Sequence, residues 1–281
     1  MRSRLYPVFK YTVIALWACF VAGPFLWAMT TSFKNANAVQ GGPTYIPWVQ
    51  YKPTLTGWHN IFGGAGGIDV VQPFVNSAVI TIAASAISLA LGSLAAYALS
   101  RYRFKLGFIK NSDIVFFFVS QRIMPPVVLV IPFFYLLQWG GLLDSIPGLV
   151  IVTVALLLPI AVWVMVDFFN GIPREIDEMA MLDGCPPFQT FVRAILPNSL
   201  PGLTVAAMFC AVFGWNDFFF AFRLTFTEVQ TLPQAVVALN SSIPPWWTLS
   251  AAALFGVAPL ILLALWVERL LSKGNLSGAV R

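Results

Sequence analysis

The chain has 281 residues, of which 59% are hydrophobic, 15% aromatic and only 10% charged, and its mean hydropathy is +0.82. A soluble domain of this size carries roughly a quarter charged residues, so a water-soluble fold is excluded and the lipid membrane is the first partner. The net charge of +5 comes from basic residues scattered at segment ends rather than gathered in a stripe, which argues against nucleic acid as a ligand.

Six apolar stretches, at about 9–32, 74–100, 112–138, 147–169, 199–222 and 250–271, are each long enough to cross a hydrocarbon layer ~30 Å thick as a helix. The reading is one all-α, polytopic transmembrane domain over 1–281, its six helices joined by 33–73, 101–111, 139–146, 170–198 and 223–249. The N-terminus opens with Arg2 and Arg4 before an apolar run from Tyr11 to Met29 that Pro24 interrupts. The run is longer than a signal core and Phe33-Lys34-Asn35 is a poor cleavage site, so it is a retained first span. In the loop 33–73, Tyr51 to Phe62 reads as a turn feeding a short surface helix, broken by Gly63, Gly64, Gly66 and Gly67. Trp58 and Phe62 suit the lipid–water interface. The second span is rich in small residues, among them Ala84, Ser85, Ser88, Gly92, Ser93 and Ala96. Small residues let helix backbones approach closely in lipid, which predicts a central helix.

The third span holds Gln121-Arg122-Ile123-Met124-Pro125-Pro126. Arg122 is the one basic residue well inside the apolar regions, and the two prolines free carbonyls that could face a water-filled cavity. It is either a pathway residue or a structural arginine paired with a carboxylate or helix carbonyls. Asp167, near the end of the fourth span, reads as an interfacial residue.

Between the fourth and fifth spans lies a polar island, 170–198, with the chemistry of a helix–turn–helix. Pro173 suits a first helical position, and Glu175, Asp177 and Glu178 favour the positive end of the helix dipole. Gly184 supplies a left-handed stop, and Pro186 and Pro187 keep the helix from continuing. A second short helix is expected from about Phe188 to Leu196, ending at Pro197. The fifth span carries Trp215-Asn216-Asp217-Phe218-Phe219-Phe220. Amide and carboxylate groups hydrogen-bond sugar hydroxyls while aromatic faces stack on a pyranose ring, and on a continuous helix Asn216 and Phe220 share a face. An interfacial aromatic belt with a capping Asn-Asp pair explains the same residues.

Basic residues decide the orientation. With the N-terminus cytoplasmic, twelve lie in inner segments (Arg2, Arg4, Lys10, Arg101, Arg103, Lys105, Lys110, Arg174, Arg193, Arg269, Lys273, Arg281) and three in outer ones (Lys34, Lys52, Arg223). Both termini and 170–198 are then cytoplasmic. Cys19, Cys185 and Cys210 are odd in number and widely spaced, and His59 is the single histidine. Neither a disulfide framework nor a His-based metal site is expected. No Gly-x-x-x-x-Gly-Lys-Ser/Thr loop occurs, so the chain is not expected to hydrolyse nucleotide, and no catalytic set is present.

The island resembles the EAA loop of ABC-importer permeases. Glu178, Ala180, Asp183, Gly184, Leu196 and Pro197 match; Met179 replaces one alanine, and Ala194 stands where the family has isoleucine or valine. Ala95 to Phe104 and Trp215 to Phe219 are similar to segments of carbohydrate permeases, best of all the second maltose-type permease. Thr231-Leu232-Pro233 and Ile243 to Trp247 resemble the region that meets an extracytoplasmic binding protein, and Gly274 to Arg281 resembles a Gly-rich tail that reaches an ATPase dimer. The resemblance implies a type I ABC importer permease fold in a bacterial inner membrane. It also implies a second homologous permease, two ATPase subunits that bind the ATP and Mg, no cofactor on this chain, and a solute-binding protein outside. Residues 173–184 would be the coupling helix, and Gln121, Arg122, Trp215, Asn216, Asp217 and Phe220 would line the substrate pathway. The solute would be a sugar; a polyol, a glycerol phosphate or an anionic sugar derivative is the alternative, and an ion-coupled secondary transporter a more distant one. An amphipathic loop with no partner is the other account of 170–198.

Overall fold

The computed structural model describes residues 2–63, 69–104, 110–240 and 245–275, with side chains from residue 7 to residue 270 within those ranges. The glycines at 64, 66 and 67, Lys105, Ile243 and Pro244, and the tail 276–281 lie outside the described residues. Helix accounts for 78% of the structure and no strand forms among the described residues, in agreement with an all-α fold. The helices are α1 (Arg2–Ser32), α2 (Ala36–Gln40), α3 (Thr56–Ile61), α4 (Val71–Arg101), α5 (Asn111–Ser120), α6 (Pro126–Trp139), α7 (Ile146–Asn170) and α8 (Glu175–Leu182). They continue with α9 (Pro187–Thr190), α10 (Leu196–Asn198), α11 (Leu200–Trp215), α12 (Phe219–Leu224), α13 (Leu232–Ala238) and α14 (Trp246–Asn275).

Among the described residues, four helical stretches are long and apolar enough to cross a membrane alone: Pro7–Ser32, Val71–Arg101, Ile146–Asn170 and Trp246–Leu270. Two bent pairs, Asn111–Ile123 with Pro126–Trp139 (96°) and Pro187–Asn198 with Leu200–Trp215 (82°), raise the number to six if each pair is one span. The first bend has a local cause. Met124 and Pro125 each precede a proline and take ψ of 133° and 131°, because a following proline ring disfavours the α region.

The chain divides into two compact units, 1–72 with 235–258, and 73–234 with 259–281. In the first, the Asn60 amide donates to Thr248 Oγ1 at 3.0 Å, the Tyr51 hydroxyl donates to Thr30 O at 3.1 Å, and Phe62 meets Phe255 edge-on at 5.5 Å. In the second, α7 is the hub. Its Leu157, Ile160 and Ala161 pack with Ala84 of α4 and Cys210 of α11, and its Val162, Met165 and Phe169 pack with Ala96, Tyr97, Phe191, Ile195 and Ala206. The small residues of α4 make this possible: a Cβ at Gly92 would stand 2.6 Å from Ala161 Cβ. Ser145 caps α7, accepting from Gly148 N at 3.1 Å. Asn111 ties the start of α5 to α4, donating to the carbonyls of Leu99 and Tyr102 at 2.6 Å.

Candidate functional site

The loop 170–198 carries the first polar constellation. Three carboxylates occupy the first turn of α8, where the helix dipole is positive. The helix stops at Gly184, whose φ of +83° is open to glycine without steric cost. Gly184 N donates to Met181 O and Cys185 N to Ala180 O, both at 3.0 Å, which satisfies the last carbonyls. Two local expectations shift. The helix begins at Glu175 rather than Pro173, and Pro173 contributes only its carbonyl, to Ile176 N at 3.4 Å. The second helix does not end at Pro197 but runs on to Asn198 through a π turn at Phe191–Ile195. There Leu196 N reaches back five residues to Phe191 O, so the regular ladder is already broken where Pro197 lacks its N–H.

Glu178, Asp183, Gly184 and Pro197 are exposed, while Ala180 and Leu196 are half-buried. Beside them Met179, Leu182 and Phe188 are 60%, 87% and 66% exposed. Apolar groups are thus displayed together on a polar loop. The opposite side of α8 is fastened by a residue that sequence reading treated only as a dipole partner. Asp177 is buried; its Oδ1 accepts from the Tyr97 hydroxyl at 2.7 Å and its Oδ2 lies 2.9 Å from Arg101 Nε. Arg101 also donates to Phe169 O at 2.9 Å and Ile172 O at 3.1 Å, and Arg174 donates to Ser100 O at 3.1 Å. Its partners Tyr97 and Arg101 stand one turn apart on α4, but nothing local in the sequence ties them to Asp177.

The second constellation is a cavity of about 310 Å³ lined by Gln121, Arg122, Phe213, Asn216, Asp217 and Phe220 among others. Two motifs some ninety-five positions apart thus meet at one place. Arg122 also borders a neighbouring cavity of about 360 Å³. Its Nη1 donates to Leu156 O at 3.3 Å and its guanidinium lies 4.8 Å from the Phe213 ring centroid. Trp215 does not line this cavity; it is buried edge-on against Phe74 at 5.3 Å. Asn216 and Phe220 do not share a continuous helix face either. α11 ends at Trp215 and α12 begins at Phe219, with Asn216 donating to Val212 O at 2.8 Å and Asp217 accepting from Phe220 N at 3.4 Å. The break itself turns the amide and carboxylate toward the cavity.

A third carboxylate was missed in the sequence. Asp144, at φ +54°, accepts from Thr227 N at 2.9 Å, Glu228 N at 3.0 Å and Val229 N at 3.2 Å. Partial burial pushes its carboxyl up, but the N–H groups of Thr227, Glu228, Phe226 and Val229 outweigh that and bring it from 3.8 down to about 2. In the other unit, burial lowers the ammonium of Lys34, which donates to Thr44 O at 2.5 Å.

Apolar helices interrupted around a polar cavity, with a structured polar loop outside the spans, define a polytopic membrane transport component. Residues 88–275 match the family model described as binding-protein-dependent transport system inner membrane component. The chain is 32% identical over 280 residues to the inner membrane ABC transporter permease protein YcjP of Escherichia coli, covering 96% of this chain and 95% of that one. It is 31% identical over 267 residues to the trehalose transport system permease protein SugB of Mycobacterium tuberculosis, covering 92% of each. Its fold is similar to a chain in the crystal structure of a bacterial ABC transporter involved in the import of the acidic polysaccharide alginate. The TM-score is 0.77 and the identity 22%, with 96% of this chain and 98% of that chain covered. The protein belongs to the family of binding-protein-dependent transport system inner membrane components. It is a permease subunit with the type I ABC importer fold, a transport component of the inner membrane rather than an enzyme. Such a permease works with an ATPase and a solute-binding protein.

Proposed function

We propose that this permease passes a sugar or sugar-like solute, delivered by an extracytoplasmic binding protein, through the cavity bounded by Gln121, Arg122, Asn216, Asp217 and Phe220. The observation that carries the reading is the convergence of hydrogen-bond donors, acceptors and an aromatic ring on one cavity inside the apolar helices. The names of relatives support the solute class: SugB is a trehalose permease, and a protein of Thermococcus litoralis 28% identical to this chain is a trehalose/maltose permease. In the assembled transporter the chain pairs with a second, homologous permease and two ATPase subunits. The ATPases bind ATP and Mg, and this chain holds no cofactor. Both termini and 170–198 face the cytoplasm, as the basic residues indicate. The exposed face around Met179, Leu182 and Gly184 docks on an ATPase, and its closure switches the helices between inward- and outward-facing states.

An anionic sugar derivative is a second reading with its own support. The described contacts of Arg122 are a carbonyl and a ring, and neither neutralises its charge. A sulfoquinovosyl glycerol permease of Agrobacterium fabrum is 28% identical. The test is uptake by proteoliposomes holding the assembled transporter and its binding protein, across neutral and acidic sugars. Arg122→Gln is expected to reduce uptake of acidic sugars selectively if they are the cargo, and to spare neutral ones. No uptake of any sugar by the unmodified transporter refutes the solute class.

A further inference from the structure

We propose that Asp177 is a positioning residue that transmits displacement of α8 to α4 and α7, and so to the cavity. The proposal rests on reading 170–198 as the ATPase contact. α8 has only two turns; Met179, Met181 and Leu182 are displayed outward while Ile176 packs on the inner cluster, so it needs a directed inward attachment to move anything. Asp177 is that attachment. Both of its oxygens are engaged, Oδ1 by Tyr97 of α4 and Oδ2 by Arg101 of α4. The two remaining guanidinium nitrogens of Arg101 hold Phe169 O and Ile172 O at the end of α7. One carboxylate thereby ties three helices.

Stability alone is a poor reason for this design. Apolar residues of similar volume hold a helix down as well as a buried ion pair does, because desolvation offsets most of the Coulomb attraction. What the pair adds is a fixed geometry: side chains of 7% and 8% exposure, held by three directed hydrogen bonds and one close ion pair, have little room to slide. Apolar contacts permit such sliding because they have no preferred direction. The path onward is continuous. From Phe169, α7 runs back roughly 20 Å along its axis to Leu156 and Leu157, which line the cavity beside Arg122. Tyr97 is itself wedged among Phe169 at 5.9 Å and Phe191 at 5.0 Å, so α8 is not free to tilt without the inner ends of α4 and α7.

The test uses the assembled transporter in proteoliposomes with its ATPase subunits. The three native cysteines of this chain are replaced by serine, and Leu129→Cys supplies a label site on the cavity wall. A membrane-impermeant maleimide reads cavity exposure before and after vanadate traps the closed ATPase dimer. Asp177→Asn removes the charge, and Tyr97→Phe removes one hydrogen bond while keeping the ring. Both are expected to retain ATPase association and vanadate trapping, yet Asp177→Asn loses at least about fivefold of the vanadate-dependent rise in labelling, the low end of measured coupling effects. Tyr97→Phe loses a smaller part. An unchanged rise in Asp177→Asn overturns the proposal. So does loss of ATPase association in step with the rise in both variants, which makes the pair a folding element only. No rise in the Leu129→Cys parent, measured before Asp177 or Tyr97 is changed, removes the reading of the loop itself.

Discussion

Replacing Gly92 by alanine tests the claim that α4 is central because its small residues admit α7. The new Cβ would stand 2.6 Å from Ala161 Cβ, 3.2 Å from Val162 N and 3.3 Å from Ala161 C. Two of these atoms are backbone and the third is a Cβ, so no rotamer change relieves the contact. Reaching ordinary van der Waals separation requires the helices to part by about 1 Å locally, and overpacking of this kind costs about 1–3 kcal/mol. Alanine returns up to ~1 kcal/mol of helix propensity over glycine. With the full propensity return the net loss is about 0–2 kcal/mol, or up to roughly 8 °C in melting temperature at the scale of ~2–4 °C per kcal/mol. Gly23→Ala in α1 is the matched control: the propensity gain is the same and nothing lies within 4 Å of the added carbon. Thermal melts of the two variants in the same detergent, read by size-exclusion fluorescence, check the reasoning. Equal melting temperatures for Gly92→Ala and Gly23→Ala refute it.

Three further outcomes are expected. Gly184→Trp leaves the protein inserted, because open space surrounds the position, but its φ of +83° strains any side chain by about 1–2 kcal/mol; ATP hydrolysis without uptake is the expected result, and normal uptake counts against the docking surface. Asn216→Ala with Asp217→Ala reduces transport more than it reduces the yield of assembled transporter, whereas equal losses assign the pair to capping α12 alone. Asp144→Asn frees the Thr227–Val229 segment. The native carboxyl, at about 2 against an ordinary 3.8, is depressed, so its contribution is full above pH 4 and fades as pH falls toward 2. Solvent screening limits that contribution to about 1 kcal/mol. Hydrogen exchange of those amides, corrected for intrinsic rate, should be faster in the variant at pH 7 and converge with the parent near pH 2.

The apolar spans and the helix–turn–helix at 170–198 were legible because both rest on local chemistry. Length in apolar residues, carboxylates in a first turn and a glycine stop act within one or two turns of chain. The exact ends of α8 and α10 were not, since the π turn at Phe191–Ile195 depends on how that segment packs under Tyr97 and Phe169. Asp177 shows the same limit more sharply. It reads in the sequence as one of three acids favouring a helix start, and nothing local separates it from Glu175 or Glu178. Only the fold brings Tyr97 and Arg101 to it from some eighty positions away. Asp144 is the parallel case, since its four N–H donors come from a loop about as distant in the chain.

The cavity shows why two correct local readings were still incomplete. Gln121-Arg122 and Asn216-Asp217 each sit where a helix stops, and in each place the stop does the positioning. Near Arg122 the prolines at 125 and 126 end the regular ladder, and α6 leaves at 96° to the preceding helix. At Asn216 the chain leaves α11 and re-enters helix only at Phe219. A continuous helix would have placed Phe220 beside Asn216 on one face, and a guanidinium left unpaired at membrane depth is costly. Arg122 instead reaches Leu156 O of the unbroken α7, and irregular backbone at membrane depth is tolerated where it is buried in protein or lines a water-filled cavity. The breaks therefore suit a place beside the cavity. Restoring a regular helix at Pro125 and Pro126 by alanine substitution should close the cavity while leaving insertion intact, seen as lost labelling of Leu129→Cys with unchanged yield.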